Sequence, residues 1–187
     1  QVFGKAKVER NLELARAEVR ANVFDSFSWH NLALEYLRMM RWSAALYCYR
    51  RAFFHADSLM TGFVPSVLKN MAGCLFNLRR FDDALILLRE AQPAYPDFVD
   101  MVFFEGTAEL ELGNWEAALA AFQRCLRSGS TTGSVFMCDE GMESYRALHA
   151  MGECYQRSGS LDQATDYYEQ AVGVALEQGR FFEQAIY

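Results

Sequence analysis

Apolar residues recur at intervals of three and four along nearly the whole chain, a spacing that gathers them on one side of a helix, and strand-like alternation is scarce. The pattern predicts helices over 4–21, 26–39, 42–55, 64–78, 81–92, 97–112, 115–127, 142–158 and 161–176. Gly113 and Gly159 stand where a left-handed residue would close a helix. With only three prolines in 187 residues, the chain reads as all-α. The first helix sets Lys5, Glu9, Glu13, Arg16 and Arg20 against Leu12, Leu14 and Val19, the pattern of a cap whose charges are solvated.

Four stretches share one internal ruler. Ala33, Ala72, Gly106 and Gly152 in the first helices precede Ala45, Ala84, Ala118 and Ala164 in the second helices by 12 residues each time, and Ala52, Ala91, Cys125 and Ala171 follow 7 residues later. Small residues at fixed offsets permit two helices to approach closely, while the aromatic residues between them fill the space towards the next pair. The second-helix alanines are 39, 34 and 46 residues apart, so the excess over a 34-residue period lies between repeats. One excess falls near Ser58–Phe63. The other is the Ser/Gly/Thr-rich stretch from Ser128 to Ser134 and on through Gly141, a loop by composition. The organisation predicted is a capping helix or half-repeat over 1–24, repeats at 25–57, 64–96, 98–130 and 144–176 with a long loop at 128–143, and a tail or partial helix at 179–187. The apolar stretch from Arg180 to Tyr187 is expected to pack on the last repeat or on a second copy.

This ruler resembles the tetratricopeptide repeat, whose pattern runs large apolar, Leu-Gly, aromatic, then Ala, aromatic, Ala and Pro, with Pro96 at the closing proline of the second repeat. Glu105 and Glu109 depart from it, standing where Leu and Tyr are usual. The resemblance implies a right-handed superhelical solenoid of antiparallel helix pairs, about four repeats behind an N-terminal capping helix. It also implies a concave, peptide-binding face on the first helices. Carried over position by position, that face comprises His30, Leu34 and Arg38; Lys69, Asn70, Gly73 and Asn77; Phe103, Thr107 and Glu111; and His149, Glu153, Gln156 and Arg157. A subclass of the family clamps acidic C-terminal peptides with Lys, Arg and Asn. Only Asn70 matches here, and His30, Leu34, Asp100 and Phe104 occupy the other clamp positions.

Shorter words carry a second resemblance. Lys7-Val-Glu-Arg10-Asn11-Leu12, Tyr95-Pro-Asp97-Phe-Val-Asp100 and Gly141-Met-Glu-Ser144-Tyr145 are similar to segments of the repeat region that follows the catalytic domain in bacterial family-2 glycosyltransferases, with Arg146 in place of a lysine. That implies the C-terminal interaction region of such an enzyme, recruiting a protein acceptor or mediating assembly. The alternative is a free-standing assembly scaffold or secretion-type chaperone.

Composition narrows the chemistry. A chain that is 52% hydrophobic can fill a core, and a net charge of −6 without a cationic cluster argues against nucleic-acid binding. Its longest apolar runs, such as Ala117–Phe122, are far short of the roughly 20 residues that cross a bilayer, so no membrane insertion is expected. The five cysteines are scattered without metal-ligand or redox spacing, which suits a reducing, cytoplasmic setting. His30, His55 and His149 form no ligand motif, and neither a phosphate-binding glycine loop nor an Asp-x-Asp pair is present. No catalytic, metal or cofactor site is expected, and the partner is a protein or peptide, with a homo-oligomer possible. Opening on Gln1 without an apolar leader, the chain is expected to be a piece of a longer protein.

Overall fold

The computed structural model describes residues 2–59, 62–128 and 139–179, with side chains from Lys7 onward. All regular structure among these residues is helical: α1 (Val2–Ala21), α2 (Ser26–Arg38), α3 (Trp42–Phe54), α4 (Val64–Asn77), α5 (Phe81–Ala91), α6 (Val99–Glu111), α7 (Trp115–Ser128), α8 (Tyr145–Ser158) and α9 (Leu161–Glu177), with one 3-10 turn at Gln92–Ala94. The all-α reading holds, and sequential helices pair as α2 with α3, α6 with α7 and α8 with α9. The chain forms two compact units, residues 1–87 and 88–187, with the boundary inside α5. The expected packing of 180–187 and the body of the 129–138 loop lie outside the described residues.

Two helix starts differ from the periodicity. Residues 97–98 belong to the turn before α6, where the Phe98 amide donates to the Tyr95 carbonyl at 3.1 Å, so the helix begins at Val99. Before α8, Gly141 takes a left-handed φ of 81° and its carbonyl accepts from the amides of Ser144 and Arg146, which holds 142–144 in a turn.

The same backbone turn closes all four first helices. Met40, Arg79, Gly113 and Gly159 have φ of 55°, 58°, 81° and 90°, each standing five residues before a second-helix alanine. The residue after each donates its amide five residues back: Arg41 to Tyr36, Arg80 to Leu75, Asn114 to Glu109 and Ser160 to Tyr155, at 2.8–2.9 Å. The next helix then opens with Ala45, Ala84, Ala118 and Ala164 donating to the carbonyls of those same residues. A 12-residue ruler in the sequence is thus the length of one turn plus the helix segments that flank it.

Packing follows the ruler. In the first unit Ala33, Ala45, Ala52, Ala72 and Ala84 are buried, and the core around them is filled by Leu12, Val19, Trp29, Tyr49, Met71 and Leu75. In the second unit Ala118, Phe122, Cys125, Ala147, Met151 and Cys154 form the corresponding core. Gly106 and Gly152 mark close approaches between paired helices: a Cβ would lie 2.7 Å from the ring of Phe122 at the first and 2.7 Å from that of Tyr168 at the second. Burial of the four described cysteines pushes their thiols up, to about 12 for Cys48, Cys125 and Cys154 and about 11 for Cys74, so they pack as small apolar groups.

Candidate functional site

In the first unit, α4 buries Val67, Leu68, Met71, Ala72, Cys74 and Leu75. Lys69, Asn70 and Gly73 on the same helix are only half-buried and Asn77 is exposed, so they share the side turned away from the core. A Cβ at Gly73 would meet nothing within 4 Å. On α2, Leu34 is half-buried, and Arg38 is exposed and ion-paired with Glu35. His30 has a different setting. It is buried among aromatic rings, 5.3 Å from Phe63, 5.9 Å from Tyr49 and 6.1 Å from Phe27 between ring centroids. Burial holds its pKa below the ordinary histidine value, so it is neutral and serves the packing of this aromatic group.

In the second unit, α6 leaves Phe103, Phe104, Thr107 and Glu111 half-exposed and buries its other residues. On α8, Glu153 is half-buried, while His149, Gln156 and Arg157 are exposed. The structure draws these two sets together, because Arg157 pairs with Glu111 at 3.0 Å and with Glu153 one turn back on its own helix. Tyr168 of α9 donates its hydroxyl to Gln156 at 2.7 Å, and its ring lies 5.1 Å from that of His149. Glu111, His149, Glu153, Gln156 and Arg157 are therefore joined in one ion-paired, aromatic-edged group, whereas Phe103 sets its ring 5.3 Å from that of Phe122 and Thr107 donates to the Phe103 carbonyl on its own helix.

The departures at Glu105 and Glu109 have a structural explanation. Both carboxylates are buried, and both receive donors from α5 or the turns nearby. Glu105 accepts from Gln92 at 2.8 Å and from Arg89 and Arg124, and Glu109 accepts from Asn114 at 2.7 Å and from Arg89. Burial pushes Glu105 towards protonation, but the hydrogen bonds from Gln92, Arg124 and Arg89 outweigh it and hold its pKa below the carboxylate norm. Beside this network lies a cleft of about 740 Å3 lined by Arg89, Gln92, Pro96, Glu105, Arg124 and Arg127, among others. Periodicity shows the two glutamates as anomalies. It gives no sign of their partners, which stand 5 to 20 residues away in sequence.

The short words singled out in the sequence also have places here. Leu12 and Tyr95 are core residues, and Asp100 is fully buried, both of its carboxylate oxygens accepting from the Asp139 amide at 2.9 and 3.1 Å. Asp100 thereby anchors the far end of the long inter-repeat insertion. Among the described residues no group of three or more His, Cys, Asp or Glu is placed to hold a metal ion, and no helix is long and apolar enough to cross a membrane.

Several solved structures share the fold. MamA matches with a TM-score of 0.74 at 13% identity, covering 96% of this chain and 95% of its own. MamA from Desulfovibrio magneticus RS-1 gives 0.74 at 12% identity over 94% and 90%. YrrB, described as a TPR protein with an unusual peptide-binding site, gives 0.69 at 15% identity over 95% and 83%. No curated protein sequence matches the chain significantly. Three overlapping stretches, residues 30–98, 75–131 and 103–181, match the tetratricopeptide repeat pattern. Since those stretches span most of the sequence and the same turn closes each of the four first helices, the chain belongs to the tetratricopeptide repeat family.

Proposed function

We propose that the chain is a non-catalytic scaffold that captures an extended protein or peptide segment on the first helices of its repeats. One observation carries this reading. On two first helices that bury most of their side chains, Lys69, Gly73 and Asn77 of α4 and their counterparts Phe103, Thr107 and Glu111 of α6 are left partly or wholly open in a common register, with Asn70 beside the first set. Half-open aromatic and carboxamide groups on rigid helices suit a ligand whose backbone needs hydrogen-bond partners and whose side chains need apolar contact. The likeness to YrrB, described by its peptide-binding site, favours the same class of activity.

Between the two settings considered, a free-standing assembly scaffold is favoured over the tail of a glycosyltransferase. The words that suggested the transferase are occupied in core packing and in anchoring Asp139, tasks that any repeat array with this joint would need. An α/β domain bearing Asp-x-Asp in the coding sequence upstream would reverse that preference.

The binding role is tested with a partner isolated on the tagged chain and then measured by titration calorimetry. Phe103→Ala, and Asn70→Ala combined with Asn77→Ala, should each weaken it roughly tenfold or more with helicity unchanged. Gln123→Ala on α7 and Gln170→Ala on α9, both exposed on second helices, should bind as the parent does. Equal losses from the second-helix variants would refute the assignment to the first helices.

A further inference from the structure

Within the first unit, α1 and α2 enclose a notch of about 250 Å3, the scale of one long side chain and smaller than the clefts that hold drug-sized ligands. Glu35 lines it and is 8% exposed. One of its carboxylate oxygens, Oε1, accepts from Arg38. The other, Oε2, is buried, and none of the described residues donates to it. A buried carboxylate oxygen without a donor is costly, and an incoming N–H group would relieve it.

The rest of the lining says which donor fits. Glu18 adds a second negative charge against the single positive charge of Arg38, which favours a cation. Asn11 and Asn31 each bring a carboxamide carbonyl able to accept one hydrogen bond. The donor-less oxygen of Glu35 stands alone, because Arg38 already holds its twin. A guanidinium fork needs two oxygens side by side, whereas an ammonium can direct three separate donors to one carboxylate oxygen and two carbonyls. Leu34 and Leu14, the latter 57% exposed, offer apolar contact to a methylene stem.

We infer that the α1–α2 notch is a subsite for a lysine side chain, so that the segment captured by this scaffold carries a lysine where it meets the N-terminal end of the repeats. This rests on the partner-capturing function proposed above and adds the charge of the partner at one place.

The probe is a short glycine–serine peptide with blocked ends and a single lysine, titrated into the isotope-labelled full chain by NMR. Saturable shifts are expected in the amides of 11–18 and 31–38, and the same peptide with norleucine should produce none. Glu35→Gln should weaken the lysine peptide about tenfold, the effect of losing one charge-assisted hydrogen bond. Glu18→Gln, which alters the lining without touching the Arg38 pair, should weaken it to a smaller extent and guards against a folding defect in the first variant. The exposed Glu9→Gln on α1 lowers the net charge equally and should leave affinity unchanged. Phe103→Ala should also leave it unchanged, so this experiment fails or succeeds independently of partner capture on α6. The inference is overturned if norleucine binds as lysine does, if Glu9→Gln weakens binding as much as Glu35→Gln, or if the lysine peptide gives no saturable shift.

Discussion

Met40 and Arg79 hold the left-handed turn position that Gly113 and Gly159 hold in the later repeats. A side chain there crowds its own backbone, at a cost of roughly 1–2 kcal/mol that glycine avoids. Met40→Gly should therefore stabilise the protein by about 1 kcal/mol and raise its melting temperature by a few degrees. Met40 is 72% exposed, so little packing is lost in exchange. The opposite sign is expected at Gly106, where even the single methyl of Gly106→Ala would press on Phe122, a fully buried ring with no room to move. A loss of roughly 1–3 kcal/mol in chemical denaturation is the expected outcome. Gly152→Ala should cost less, because Tyr168 is only half-buried and can swing away. The glycines at 113 and 159 were visible as caps in the sequence. Their equivalents at 40 and 79 were hidden, because the side chains there say nothing about φ.

At the scale of an element, α6 was the helix that least resembled its family, and the reason is the buried pair Glu105 and Glu109. Five hydrogen bonds from four side chains satisfy these two carboxylates, and Arg89, Gln92, Asn114 and Arg124 become their neighbours only after α5, α6 and α7 have packed. The network and, separately, the buried His30 predict acid sensitivity in two windows. Glu105 has a folded pKa below its ordinary 4.5, so the unfolded chain binds the proton first, and the stability present above pH 4.5 is lost as the pH falls through the folded value. His30 is likewise depressed below 6.5, here by burial, so its neutral form stabilises the fold above pH 6.5 and that contribution falls away below it. Urea titrations across the acid range should show both declines. His30→Phe should flatten the upper one while keeping a ring among Phe27, Tyr49 and Phe63, and Glu105→Gln should flatten the lower one. A decline unchanged in either variant would mean that another group sets it.

At the scale of the whole molecule, the helix-pair organisation was legible because it is written in small residues at a fixed interval, and Ala33, Ala72, Ala84 and Ala118 are buried where that interval sets them. The proposed binding face is legible only as a register. Position along a repeat distinguishes Asn77 from Leu75, but it cannot tell that His30 falls into an aromatic cluster raised by the residues around Phe63, or that Glu35 is left with a bare oxygen. The first depends on rings from α2, α3 and the turn before α4, and the second on how α1 packs beside α2. The central claim is that the first helices hold the partner. It is tested most directly by placing a photo-crosslinking amino acid singly at Leu34, Asn77 or Thr107 on first helices and at Arg50, Gln123 or Gln170 on second helices, then identifying the crosslinked peptide by mass spectrometry. One shared partner segment captured from 34, 77 and 107, and absent from 50, 123 and 170, is the predicted result; capture of that segment from the second-helix positions instead, or equally from both, would contradict it.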